Sequence, residues 1–139
     1  MKVFLDVNVL IDYVVGRGAA NQEALQIMTL ARSNKFVVMS TPNAFVVAYY
    51  KINKHLKDPR KTREILLKLR EFVQCSTTDA DLIDKALSTQ VPPDFEDVFQ
   101  QEAAKRAGAD LLVTNDKKFL KDATIRASSA KDFLQFLQE

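Results

Sequence analysis

The segment Lys2-Val-Phe-Leu-Asp6-Val-Asn8-Val-Leu-Ile-Asp12-Tyr13 sets the architecture of this chain. Val3, Phe4 and Leu5 are large apolar side chains in succession, a run that reads as a short strand buried on both faces. Asp6 ends it. The apolar spacing then resumes at Leu10, Ile11 and Val14 in the manner of a helix. A carboxylate at the carboxyl end of a central parallel strand lies where open α/β sheets place their ligands, in the crevice beyond the strand tips. Asn8 carries an amide that can hold the turn or orient the acid. The plainer alternative is that Asp6 and Asn8 only cap the following helix.

Downstream the same alternation repeats. After the break at Gly16-Arg-Gly18, residues Asn21 to Ser33 carry a helical stripe of Ala24, Leu25, Ile27, Met28, Leu30 and Ala31. Phe36 to Met39 reads as a second buried strand. Thr41-Pro42 and Asp58-Pro59 are helix starts, each pairing a capping oxygen with a proline whose missing N–H is not needed there. The first of these helices carries Phe45, Val46, Tyr49, Tyr50 and Ile52; the second turns Ile65, Leu66 and Leu69 inward. Phe72-Val73 begins a third strand, and Thr78-Asp-Ala-Asp81 is a weak capping box before Leu82, Ile83, Ala86 and Leu87. Val91-Pro-Pro93 is a loop that leads into a helix from Asp94 to Arg106, stopped by Gly108. Asp110 to Thr114 is a fourth strand, Thr124 to Ala127 supplies a fifth, and Ser128 or Ser129 caps a last helix with Phe133, Leu134 and Leu137 inside. The pattern predicts an α/β fold, a three-layer α/β/α sandwich around a mainly parallel sheet of about five strands, with residues 1–139 as one domain.

Length and composition agree. A chain of 139 residues can bury roughly two thirds of its unfolded surface without a disulfide or structural metal. Cys75 stands alone in an apolar run, which argues for a small buried side chain and against a thiolate site. Asp6 and Asp12 interrupt the first apolar run, so it is no signal peptide, and no stretch approaches the ~20 apolar residues of a membrane span. The expectation is a cytoplasmic protein with no membrane partner. The net charge of +2 permits nucleic-acid binding without requiring it. Lys51, Lys54, His55, Lys57, Arg60, Lys61 and Arg63 crowd one helix junction, where they form either a phosphate-attracting patch or a solvated face. His55 reads as a surface residue, and Tyr49 and Tyr50 as packing.

Three acids recur at equivalent places: Asp6 and Asp116 just beyond strands, and Asp97 in the first turn of the helix after the proline loop. Carboxylates gathered without lysine or arginine repel one another, and a hard divalent cation, Mg²⁺ or Mn²⁺, relieves the repulsion. Such an ion activates water and shields a phosphodiester, the chemistry of hydrolytic nucleases. Each acid also has a structural explanation. Asp94 fits an N-cap, Glu96 and Asp97 fit the first turn, and Asp116 fits the cap of Lys117 to Leu120, with Thr114 and Asn115 closing a turn. For Asp94 and Glu96 capping and dipole compensation are preferred; for Asp97 a metal ligand is.

Phe-Leu-Asp6-Val-Asn8-Val-Leu-Ile-Asp12, Asp94-Phe-Glu-Asp97-Val-Phe-Gln and Ala107-Gly-Ala-Asp110-Leu-Leu-Val-Thr114-Asn-Asp116-Lys-Lys-Phe119, in that order and spacing, resemble the blocks of a PIN domain. The resemblance implies a metal-dependent, mostly RNA-cutting nuclease in which Asp6, Asp97 and Asp116 match the metal-binding acids. Asn8 and Thr114 match polar residues that support them, and Asp94 joins them as a further supporting acid. Many small bacterial members, the VapC-like toxins, pair with an antitoxin protein and form homodimers, so the resemblance implies both partners here. One position departs. The family usually places another acid, commonly Glu, in the helix after the second strand, and here Val47 takes that place. Valine offers no oxygen to Mg²⁺, and Asn43, one turn earlier, offers a carbonyl without charge, so metal affinity is expected to fall.

Rival folds with an aspartate after the first strand fit less well. A haloacid-dehalogenase-like phosphatase needs a second acid where Asn8 stands. A response-regulator receiver needs a phosphoacceptor aspartate after the third strand, and Phe72 to Thr78 holds none. The remaining alternative is a PIN-like module that binds RNA or protein without cutting.

Overall fold

The computed structural model describes residues 1–139. β1 (Lys2–Leu5) leads without a linker into α1 (Val7–Val15), followed by α2 (Gly18–Arg32), β2 (Val37–Ser40), α3 (Pro42–Leu56), α4 (Pro59–Arg70) and β3 (Val73–Cys75). Then come α5 (Ala80–Ser88), α6 (Phe95–Arg106), β4 (Leu111–Val113), α7 (Lys117–Asp122), β5 (Ala127–Ser128) and α8 (Ala130–Gln138). The strands form one sheet in the order β3-β2-β1-β4-β5, every pair parallel. β1 is therefore central. Val3 stands opposite Val38 on one side and Leu111 on the other, and Leu5 opposite Val113.

Alternation along β1 divides the interior in two. Val3 and Leu5 point into the larger core, packed by α1, α2, α3, α4 and α8 through residues such as Leu10, Ile27, Met28, Ile52, Leu69 and Phe133. Phe4 points the opposite way, into a smaller core with Leu82, Val98, Phe99, Leu112 and Phe119 from α5, α6, β4 and α7. Two helical layers over one parallel sheet make the three-layer sandwich expected from the sequence. Each large side chain removed from water here contributes about 1.5–3 kcal/mol, which is why β1 is wholly apolar from Val3 to Leu5, its buried part.

The topology also fixes where a ligand belongs. From β1 the chain steps outward through β2 to β3, then returns to add β4 on the other flank of β1. The carboxyl ends of β1 and β4 thus border the point where strand order reverses, the crevice that open α/β sheets use for binding. No helix is long and apolar enough to cross a membrane.

Details differ from expectation where packing overrides sequence pattern. β5 begins at Ala127, not Thr124, because the chain must first travel back along the sheet from the end of α7 before it can pair with Leu112. The cap of α5 is Asp79, whose carboxylate accepts the Leu82 N–H at 3.0 Å, in place of the Thr78 box. α5 buries only Leu82 and Ala86 and leaves Ile83 and Leu87 exposed; Val46 and Tyr50 on α3 are likewise exposed, since Ala44, Ala48 and Ile52 form its inner face. Cys75 is half-buried.

Candidate carboxylate site

Asp6 is the fixed point of the crevice. It is 2% exposed and caps α1, its Oδ1 accepting the Asn8 backbone N–H at 3.4 Å. Two neutral side chains hold it more firmly. Thr114 Oγ1, at the end of β4, donates to Asp6 Oδ2 at 2.7 Å, and Gln100 Nε2, from α6, donates to Asp6 Oδ1 at 3.0 Å. The other end of the Gln100 amide accepts the Val7 N–H at 3.0 Å, so both of its polar atoms are used and its orientation is set. Thr114 Oγ1 in turn accepts the Asp116 N–H at 3.1 Å, which ties the turn after β4 to the turn after β1.

Around this anchor the other acids stand in mutual range. Asp94 caps α6, accepting the Asp97 N–H at 3.0 Å, and Asp116 caps α7, accepting from Lys118 and Phe119. The capping explanations therefore hold for Asp6, Asp94 and Asp116. Asp97 stands in the first turn of α6, as expected, but caps nothing. Its half-buried carboxyl is pushed up to about 7, first by burial and then by the charges of Asp94, Asp6, Asp116 and Glu96. Burial and the Asp6 charge also raise Asp12; burial raises Glu96 most, with Asp6 and Asp94 adding to it and Lys51 opposing. Ion pairs occur elsewhere in the chain, at Arg60–Glu64, Lys105–Glu102 and Arg106–Asp79, but none engages Asp6, Asp97 or Asp116.

The donor set suits a hard divalent cation: oxygens only, several of them anionic, with no cation in contact. The three acids share the crevice but are not drawn into one ligand cluster, since no three His, Cys, Asp or Glu side chains lie close enough to hold an ion. Val47 is half-buried against the larger core. It lines a narrow recess with Val7, Asn43, Glu96 and Gln100, so this helix position faces the neighbourhood of Asp6 but supplies only methyl groups.

Sequence reasoning missed two features. Asn8 meets Asp6 through its backbone N–H, and its own side chain is exposed. Gln100, a residue outside the expected site, joins Thr114 as a support of Asp6. The signal was present: Val98 through Ala104 are buried all round the helix, and a glutamine three residues after Asp97 in such a stretch must have a partner inside.

Comparison with known proteins gives one consistent picture. A family model described as PIN domain matches residues 2–118. The chain is 25% identical over 122 residues, 85% of its own length and 83% of the other's, to the protein named Ribonuclease VapC1 of Aquifex aeolicus. Among solved structures it is similar to VapC20 of Mycobacterium tuberculosis, described as a Sarcin-Ricin loop cleaving toxin, with a TM-score of 0.67 at 18% identity over 86% of this chain and 93% of that one. It is also similar to VapBC2 of Rickettsia felis bound to a DNA fragment from their promoter, with a TM-score of 0.66 at 15% identity over 93% of this chain and 98% of that one. At such identities the structures speak to the fold.

Proposed function

This chain belongs to the PIN domain family, and from that premise we propose that it is a Mg²⁺- or Mn²⁺-dependent endoribonuclease, one domain over residues 1–139, that hydrolyses RNA phosphodiester bonds with water as nucleophile. Asp6, Asp97 and Asp116 would hold the ion, which would have to draw their carboxylates closer together than they stand here, with Asn8, Thr114 and Asp94 supporting them. When bound, the ion supplies an activated water and neutralises charge on the phosphate. The chain's own residues do the rest. Thr114 and Gln100 hold both oxygens of Asp6 in one orientation without neutralising it. That single observation carries the proposal, because a carboxylate meant only for structure is usually paired or exposed, whereas this one is buried and supported by neutral donors alone.

Lys51, whose charge reaches Glu96, begins a basic stretch that continues through Lys54, Lys57 and Lys61 on the outer surface and attracts the backbone of an RNA strand. The partners that accompany this activity are an antitoxin protein and a second copy of the chain, as in the VapC-like toxins it resembles. Co-purification from the native host would recover the antitoxin with the chain; recovery of RNA alone would remove the toxin role.

Val47 favours a second possibility, a PIN module that binds RNA or protein without cutting it. Mn²⁺ titration and RNA cleavage by the wild type and Asp97→Asn separate the two. The nuclease loses at least about a hundredfold in cleavage and binds Mn²⁺ more weakly after the substitution. Identical traces for both proteins leave only the binding role.

A further inference from the structure

A cavity of about 470 Å³ opens beside the first turn of α6, between the start of α3 and the start of α5. Ile83, Phe95 and Phe99 form its apolar wall, and Asn43, Thr78 and Glu96 its polar side. Asp79 also borders it, but both Asp79 oxygens are taken by Arg106, at 2.7 and 2.5 Å. Phe95 is 47% exposed and Ile83 40%, two large apolar side chains that the fold leaves uncovered on the same wall. Asn43 and Glu96 belong to two spaces at once. They line this cavity and also the narrow recess with Val7, Val47 and Gln100, and Gln100 is bonded to Asp6. The cavity is thus an annex of the carboxylate crevice.

Building on the ribonuclease proposed above, we propose that this cavity is a nucleobase subsite, taking one base of the RNA strand that is cut at Asp6, with Phe95 as its stacking face. The volume lies within the range of small-molecule sites, and an aromatic wall with a few convergent polar groups is what a base requires. A phosphate is a poor occupant, since Glu96 would repel it. The polar side also selects among bases. A carboxylate only accepts hydrogen bonds, so Glu96 suits a base edge that donates. Guanine offers two parallel donors, N1–H and the 2-amino group, to a single carboxylate; adenine and cytosine offer one amino group; uracil offers only N3–H, flanked by two carbonyl oxygens that a carboxylate repels. The expected order is guanine first and uracil last.

Binding of short labelled oligoribonucleotides that differ at one base, measured by fluorescence anisotropy in EDTA so that nothing is cut, tests the subsite directly. Phe95→Ala should weaken binding roughly tenfold and flatten the base preference, while Phe95→Tyr, which keeps a ring, stays near the wild type. Thermal unfolding of the three proteins establishes that each is folded. Cleavage of a random-sequence RNA in Mn²⁺ should then show guanine enriched at a fixed position from the cut for the wild type and lost for Phe95→Ala, with Mn²⁺ affinity unchanged. Equal binding by wild type and Phe95→Ala overturns the subsite, as does a preference for uracil, or an effect of Phe95→Ala confined to capture of a protein partner. If the wild type cuts RNA and Phe95→Ala cuts with the same preference, the subsite falls and the nuclease stands. If base-selective, Phe95-dependent binding occurs without cleavage, the nuclease falls and the subsite stands.

Discussion

Two aspartates, one capping α5 and one in the first turn of α6, show opposite treatments of the same side chain. Asp79, at the start of α5, caps its helix and is gripped by the two terminal guanidinium nitrogens of Arg106, which lowers its carboxyl to about 2. Asp97, in the first turn of α6, has burial and four other acids around it and is raised to about 7. A chain that needed carboxylates only to cap helices could have given both an arginine. It gives one to the surface and withholds it from the crevice. The difference separates a settled structural acid from one whose charge is left for something outside the chain to satisfy.

The sharpest break in this comparison comes from the supports and not from the acids. Gln100→Ala leaves the buried Val7 N–H without its acceptor, at about 1–3 kcal/mol, and leaves Asp6 Oδ1 with only the long Asn8 N–H, a smaller loss, so a decrease of about 2–4 kcal/mol is expected in urea unfolding. Arg106→Ala breaks an exposed pair and should move the midpoint far less. Similar losses in both variants would mean that the crevice is no more constrained than the surface.

Gln100 also shows what was and was not legible in the sequence. The strand at Val3 to Leu5 was readable because three large apolar residues before an acid leave few alternatives, and the helix starts at Thr41-Pro42 and Asp58-Pro59 because cap chemistry is local; both caps are present. Asp6 and Asp116 could be placed beyond strand ends for the same reason. Of the partners of Asp6, Thr114 is reachable only through the family resemblance and Gln100 not at all, since they lie 108 and 94 residues away and meet it only after β1 and β4 pair. The exposed Ile83 and the cavity beside it were hidden as well: period alone puts Ile83 on the inner face of α5, and only the placement of α6 uncovers it.

Val47 sharpens the comparison from the other direction. Val47→Glu adds a carboxylate to the recess that already holds Glu96 and Gln100, and with one more anionic oxygen Mn²⁺ affinity should rise on the order of tenfold in calorimetry. The same change loses half-buried apolar packing, so the metal-free melting temperature should fall. Unchanged affinity would detach the recess from the proposed ion site.

Neutralising the two contrasted aspartates should give effects of opposite sign in the metal-free protein. Asp97→Asn removes a charge that its neighbours repel and, after allowance for solvent screening, is expected to stabilise by about 1 kcal/mol, roughly 3 °C in Tm. Asp79→Asn discards the Arg106 pair and should lower Tm. Two shifts of the same sign would show that Asp97 has a partner of its own.

The smallest effect is the pH dependence, and its sign follows from the direction of each shift. Between its ordinary value of 3.8 and about 7, Asp97 keeps a proton in the folded chain that the unfolded chain has released, so rising pH favours unfolding across that window. Its contribution to stability is full below about pH 4 and lost above about 7. Asp12 and Glu96, also raised, act in the same sense. Asp79 acts in the opposite one: its contribution is present above 3.8 and disappears as the pH falls toward about 2. Metal-free protein should therefore melt slightly higher near pH 5 than near pH 8, by roughly 1–3 °C once the exposure of Asp97 is allowed for. Millimolar Mn²⁺ competes with the proton for the same oxygens, so the increase in Tm that it produces should grow from pH 5 to pH 8. In Asp97→Asn most of that growth should vanish, because the group that exchanges its proton for the ion is gone. If the increment were as large at pH 5 as at pH 8, the ion would be bound by groups that do not titrate in this range, and Asp97 would not be among its ligands.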